Sequence, residues 1–368
     1  MADDVYSDSI RKSGFVLEHQ VAQDLKIAGW TVISNKYYVD DQSDAVREVD
    51  LVAYRTRKVQ HFDVCTVLIV SCKKSADNAW AFLARPINLN DKNSDWWPVH
   101  IWSNDPALQY VLGQPGVGKQ FHGDALQHGV TEVLETPTVE VFAFQEMKKG
   151  SGAVQNDKAI FSSITGLMKA QAYEMQSLPG RKKDPCVYQF NLVSVVDTDL
   201  VRIHFDGDGI TSAQVHGEHY IGRYIINKAE TFARIRLVAA TAFQDLLEDF
   251  ARLHRSNCDW FASECTSFYQ DIVKDPKRVD ALADLFNRKT LPMVNFFVRR
   301  KFGSEKKVGP AFLYFDEADD MVRIGYEADD DVTDFMDSND GVRGTVQAGL
   351  KAIYRYEGDF SLLFDIPF

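Results

Sequence analysis

The chain has only five cysteines, at positions 65, 72, 186, 258 and 265, and no two of them form a CxxC pair. That spacing argues against a zinc site and offers no disulfide framework. A reducing cytoplasm is the compartment expected of it. No run of about 18 apolar residues occurs, so no membrane span is expected. The N-terminus, Met1-Ala2-Asp3-Asp4-Val5, is acidic and has no apolar stretch before Ser13, so a secretory signal is not expected either. Internal repeats and low-complexity linkers are also missing.

Positive charge is in short supply overall, at a net −12. The deficit is local. Residues 316–340 hold eleven acids and one arginine, a net of −10, which leaves about −2 for the rest of the chain. Basic clusters stand at Arg55-Thr56-Arg57-Lys58, Lys73-Lys74, Arg181-Lys182-Lys183 and Arg299-Arg300-Lys301. Local patches bind phosphates, so the global sign does not exclude DNA. Each cluster read alone is a solvated surface. The acidic stretch reads most simply the same way, and more sharply as a nucleic-acid mimic covering a basic face.

What is present is a folded chain. Of its 368 residues 45% are hydrophobic, enough for one large domain or two. Gly14 to Gly29 reads as a helix, with Phe15, Leu17, Val21, Ala22, Leu25 and Ala28 as its apolar stripe. Trp30 to Ile33 begins a strand that Lys36 to Val39 extends. Val46 to Tyr54 is a second strand. Val64 to Cys72 is a third, apolar on both faces and therefore central in a sheet. Residues 76–85 read as a short helix around Trp80, Phe82 and Leu83. Residues 86–150 read as an insertion of loops and short helices. A helix at 158–178, a basic turn at 180–185 and strands at 187–196, 200–205 and 235–239 follow. Phe243 to Leu253 stripes a further helix. A helical stretch at 257–288 opens a C-terminal α+β subdomain, with a hairpin across Asp316 to Asp320. The expected fold is α/β, a mixed sheet flanked by helices over 1–255, with the subdomain at 256–368.

The chemistry concentrates in the first 75 residues. Strand residues two apart face the same way. Glu48 and Asp50 then share a face opposite Val49, Leu51 and Ala53, and Ser71 and Lys73 share a face while Cys72 points away. If the second and third strands pair, Asp50 sits beside Ser71 and Lys73, within reach of Glu18 on the first helix. Phosphodiester hydrolysis needs such a set: carboxylates for Mg²⁺ and a lysine for the charge that develops on the phosphoryl oxygens.

Gly14-Phe15-Val16-Leu17-Glu18, Ala28-Gly29-Trp30, Arg47-Glu48-Val49-Asp50-Leu51-Val52-Ala53 and Ile69-Val70-Ser71-Cys72-Lys73-Lys74-Ser75 together resemble the PD-(D/E)XK restriction-endonuclease-like superfamily. The likeness is strongest to its branch with a glutamate on the first helix, as in Holliday-junction resolvases and Mrr-like enzymes. It covers about the first 85 residues and extends less specifically to about 255. The resemblance implies a DNA endonuclease that uses Mg²⁺ or Mn²⁺. It implies Asp50 and Glu18 as metal ligands, the Cys72 carbonyl as a further ligand, Glu48 as a candidate ligand, and Lys73 as the catalytic lysine. It also implies a role in restriction or anti-phage defence and, for cleavage of both strands, a homo-oligomer or protein partner.

Two positions depart from the pattern. Val49 stands at the motif proline, and Ser71 stands where a second acid belongs. Three readings of Ser71 remain open: Glu18 or Glu48 compensates, the chain is a weak or inactive nuclease that binds DNA, or the serine replaces an acid by design. The alternative class is a non-catalytic nuclease-like module that binds DNA or a protein.

Other motifs fit less well. Gly113 to Lys119 has P-loop spacing, but Gln120 replaces the Mg²⁺-binding Ser/Thr and the preceding residues read as helix, not strand. Asp316 to Glu327 has acids at three calcium-loop positions but Ala318 and Met321 break it. His216-Gly217-Glu218-His219 reads as surface rather than metal site, and Asp206-Gly207-Asp208-Gly209 reads as a turn.

Overall fold

A computed structural model describes residues 5–363. Met1 to Asp4, part of the acidic N-terminus read above, lie outside the described residues. The chain opens with helices α1 (Val5–Arg11) and α2 (Phe15–Ile27), then strands β1 (Thr31–Val39), β2 (Val46–Val59), β3 (Phe62–Lys74), β4 (Asn78–Pro86) and β5 (His100–Ser103). Helices α3 (Pro106–Leu112) and α4 (Val117–Gln127), strand β6 (Val139–Lys148) and helix α5 (Lys158–Arg181) follow. Next come β7 (Cys186–Asp197), β8 (Leu200–Asp206), β9 (Gly209–Val215), β10 (Gly217–Ile226) and β11 (Ala229–Ala239). The chain ends with α6 (Phe243–Tyr269), α7 (Pro276–Phe302), β12 (Ala311–Asp316), β13 (Met321–Tyr326), α8 (Asp330–Ser338), α9 (Asp340–Gly349) and β14 (Phe360–Leu363). Two units emerge, residues 1–105 with 115–262 and residues 106–114 with 263–368.

The first unit is α/β, as expected, with a mixed sheet between helices. Its main sheet runs β1-β2-β3-β7-β11-β10, and β5 also pairs with β7. β1, β2 and β3 form an antiparallel meander, β3 and β7 are parallel, and so are β7 and β11. β3 is buried from Val64 to Cys72, which its unbroken apolar run requires of a central strand. One face is covered by α5, whose Ile160, Ile164, Leu167 and Met168 pack with Val52, Val67, Ile69 and Leu192. A second sheet, β6-β4-β8-β9, adds Trp80, Phe82 and Leu200 to that core. The other face meets α6, whose His254 and Asn257 bond to Thr66 of β3. α2 is tied to α6 by the Gln244 amide donating to Asp24 over 3.0 Å, and Trp30, between α2 and β1, meets Phe250 of α6 edge-on.

Several expectations are corrected. Residues 78–86 form β4, not a helix. Trp80, Phe82 and Leu83 fit either period, and pairing with both β6 and β8 decides for the strand. The insertion at 86–150 is more than loops, because β5 joins the main sheet and β6 the second. The basic turn begins inside the last turn of α5, at Arg181. β10 carries no clear sequence signal and forms by pairing along β11. α6 runs unbroken through the polar residues 254–259, where the sequence reading divided it.

The second unit centres on α7, with Leu282, Phe286, Val294 and Val298 buried. β12 and β13 make the expected hairpin, and β14 joins β13 in parallel. Gly325 is required there, because the ring of its cross-strand partner Phe312 lies where a Cβ would stand. The acidic stretch is built into β12, β13 and α8. Arg323 bonds Asp316 and Asp319, and Lys306 bonds Asp329 and Asp331.

Candidate active site at the ends of β2 and β3

Asp50 lies where the pairing of β2 gives out on both sides. Toward β3 the ladder ends at Leu51 with Val70. Toward β1 it passes from Ser34–Leu51 to Lys36–Val49 and skips the pair between them. The skipped partner, Asn35, takes a left-handed φ of 52°, which asparagine tolerates better than most residues. Freed from the ladder, Asp50 reaches across to β3. Its Oδ2 accepts the Cys72 backbone N–H at 2.6 Å and the Lys73 ammonium at 3.4 Å.

The strict alternation expected of Glu48 to Ala53 is therefore corrected. Val49 and Val52 both enter the core under α5, a separation of three that a period of two forbids. Asn35 is the residue that sequence reasoning passed over. Its amide also bonds Glu48 Oε1, and its signal was the polar break between Ile33 and Lys36.

On β3, Ser71 is in register with Ser194, whose hydroxyl bonds Ser163 of α5 over 2.9 Å. Ser71 thus sits on the α5 side and is buried. Cys72 points the other way, and burial, with Asp50 and Glu18 nearby, pushes its thiol far above the ordinary range. It stays a thiol, and its contribution is its backbone. A residue in an extended strand sends its N–H and C=O to the same side. The Cys72 N–H is aimed at Asp50, so its carbonyl is aimed there too, past the last pair of β2.

Glu18, in the first turn of α2, is half-buried, and its carboxyl is raised above the usual range. Burial is the main cause. The charge of Asp50 adds to it, Lys73 opposes it, and Glu48 adds a little more. The structure thus couples Glu18, Glu48, Asp50 and Lys73 electrically. It does not gather Glu18, Glu48 and Asp50 into a set within 4.8 Å of one another.

The donor types here, though not gathered at one point, are those a hard divalent cation takes. Carboxylates and a backbone carbonyl are its ligands of choice. Beside the effect of burial, the charges of Asp50 and Glu48 push Glu18 up and Lys73 pulls it down. Asp50 keeps one oxygen beyond the one bonded to Cys72 and Lys73. Ser71 brings no charge to the set.

The competing P-loop is not supported. Its segment follows α3 rather than a strand and runs into α4, and Lys119 stands over the Trp97 ring at 4.9 Å. His219 of the short histidine pair lies buried on β10 instead of at the surface. No protein-family model matches the chain, and no curated protein or solved structure does either.

Proposed function

We propose that this chain is a metal-dependent DNA endonuclease of the restriction-endonuclease-like fold, hydrolysing phosphodiester bonds at Asp50 and Lys73. The observation that carries the reading is the joint hold of the Lys73 ammonium and the Cys72 N–H on one oxygen of Asp50. It joins a strand acid to a strand-end lysine in the relation the resemblance requires. The order α2, β1-β2-β3, α5, then β7 parallel to β3 supports the finer fold reading. DNA as substrate and a part in restriction or phage defence come from the resemblance.

Glu18, Asp50 and the Cys72 carbonyl would hold Mg²⁺ or Mn²⁺, with Glu48 beside them. When bound, the ion neutralises the phosphate and lowers the pKa of a water. Asp50 orients the site through its bond to the β3 backbone. Lys73 turns its ammonium from Asp50 to a phosphoryl oxygen as charge develops there.

A second reading has its own observation. Ser71 supplies no carboxylate, and one Asp50 oxygen already has two donors. A chain so arranged binds DNA or a protein without cutting. Plasmid and linear DNA with Mg²⁺ or Mn²⁺ separate the two. Cleavage by this chain and none by Asp50→Ala supports the enzyme. Cleavage by Ser71→Glu alone marks a disabled site. No cleavage by any of them favours the binding module.

A further inference from the structure

Where α5 ends, the first unit leaves a cleft of about 560 Å³ over the main sheet. Small-molecule sites span roughly 300–1,000 Å³. The floor is apolar and aromatic, with Tyr54, Val67, Tyr188 and Phe190 among its residues. The Tyr188 and Phe190 rings, 6.2 Å apart and inclined by 28°, stack beside one another in the lining. The mouth is formed by Arg181, Lys182 and Lys183, a basic cluster that the nuclease reading leaves unused.

The charges at this mouth are not equivalent. Glu174 holds both Lys36, at 2.8 Å, and Arg181, at 3.0 Å, which fixes one rim. Lys182 lies 5.4 Å from the centre of the Tyr188 ring. Among the described residues neither Lys182 nor Lys183 has a carboxylate within ion-pair distance, although Asp184 also lines the cleft. Two lysines without a carboxylate partner therefore line an aromatic cleft, Lys182 bonded to the Tyr188 hydroxyl. Aromatic faces stack on planar bases of any sequence, and paired lysines take phosphate.

We propose that this cleft binds a mononucleotide, its base against Tyr188 and Phe190 and its phosphate at Lys182 and Lys183. Binding here needs no participation of Asp50 and stands or falls apart from cleavage. Calorimetric titration of the full chain with AMP, dAMP, inorganic phosphate and laurate tests it. One AMP or dAMP per chain is expected, with phosphate alone at least tenfold weaker. Asp50→Ala should bind as the parent does. The double variant Lys182→Glu, Lys183→Glu should lose at least tenfold. Tyr188→Phe, which keeps the ring, should retain affinity. Tyr188→Ala should lose it, provided its thermal melt matches the parent's.

Laurate binding in place of nucleotide would overturn the assignment and mark a fatty-acid cleft. Absence of saturable nucleotide binding, or unchanged affinity in the double lysine variant, would also overturn it. Nucleotide binding without DNA cleavage in any chain would uphold the cleft and sink only the nuclease reading.

Discussion

β3 carries two polar groupings of opposite character. On the α6 side, Thr66 bonds His254 at 2.9 Å and accepts from Asn257 at 2.8 Å. Asn257 also donates to Gln189 over 3.1 Å, and Gln189 and Asn191 bond each other. Every member is uncharged, or held so: burial above all, then Arg55, Arg57 and Arg255, bring His254 down to about 4. At the strand's end, Asp50, Lys73 and Glu18 are charged, partly exposed and incompletely matched. Buried polar groups that find partners hold a sheet to its neighbours. Charges gathered without full compensation mark a place where something else binds. One strand thus shows both uses of polarity, and the difference is charge and exposure, since even the inner network leaves the Asn257 Oδ1 without a partner.

The comparison breaks if the strand-end group proves structural. Asp50→Ala and Lys73→Ala should each reduce cleavage about a hundredfold or more, read by plasmid nicking, and Lys73→Ala should keep a urea midpoint close to the parent's. A loss of stability in Lys73→Ala as large as that of an inner-network variant would erase the distinction. Ser71→Glu should sharpen it. It places an acid beside Asp50 and should raise Mg²⁺-dependent cleavage about tenfold, equivalent to about 1.4 kcal/mol of barrier. The check is initial rates across a Mg²⁺ series.

The inner network should answer in stability. Asn257→Ala strips donors from Thr66 and Gln189 in a fully buried place and should cost about 1–3 kcal/mol by urea denaturation. Cleavage per folded molecule should be unchanged.

Acid should also act through the buried histidines. His100, His122 and His254 are all lowered to about 4, mainly by burial. The unfolded chain takes up their protons near 6.5, before the folded one does, so it binds more protons in that window. Stability is therefore full above pH 6.5 and falls as pH drops toward 4. Urea midpoints from pH 7.5 to 4.5 should show the fall, and His254→Gln should flatten it. The smallest effect should come from Glu48→Gln. Glu48 is exposed and the weakest of the influences on Glu18, so a change of a few-fold or less in cleavage is expected.

The sequence was most legible where one rule governed. The stripe Leu17, Val21, Ala22 and Leu25 located α2, and the double-faced apolar run of β3 placed it centrally. The nearness of Asp50 to Lys73 followed from the pairing of β2 with β3. Legibility failed where partners decided. β4 is a strand because two neighbours bond it, and β10 because β11 runs beside it. Strict alternation failed at Asp50 itself, where the pairing skips Asn35 and Asp50. The slot between Tyr188 and Lys182 was hidden for a similar reason, because no local pattern tells where a helix stops short of its sheet.

The Cys72 amide has a consequence of its own. Its proton is held by a side chain instead of by a neighbouring strand. Amides to its N-terminal side on β3 are locked by the ladder, and only opening of the sheet can release them to solvent deuterium. Cys72 should exchange whenever the Asp50 carboxylate lets go, even while the sheet stays shut. A single amide resonance therefore becomes a native clock on the site. Its exchange rate would report how firmly Asp50 is held, and would do so in a chain that never cuts a strand.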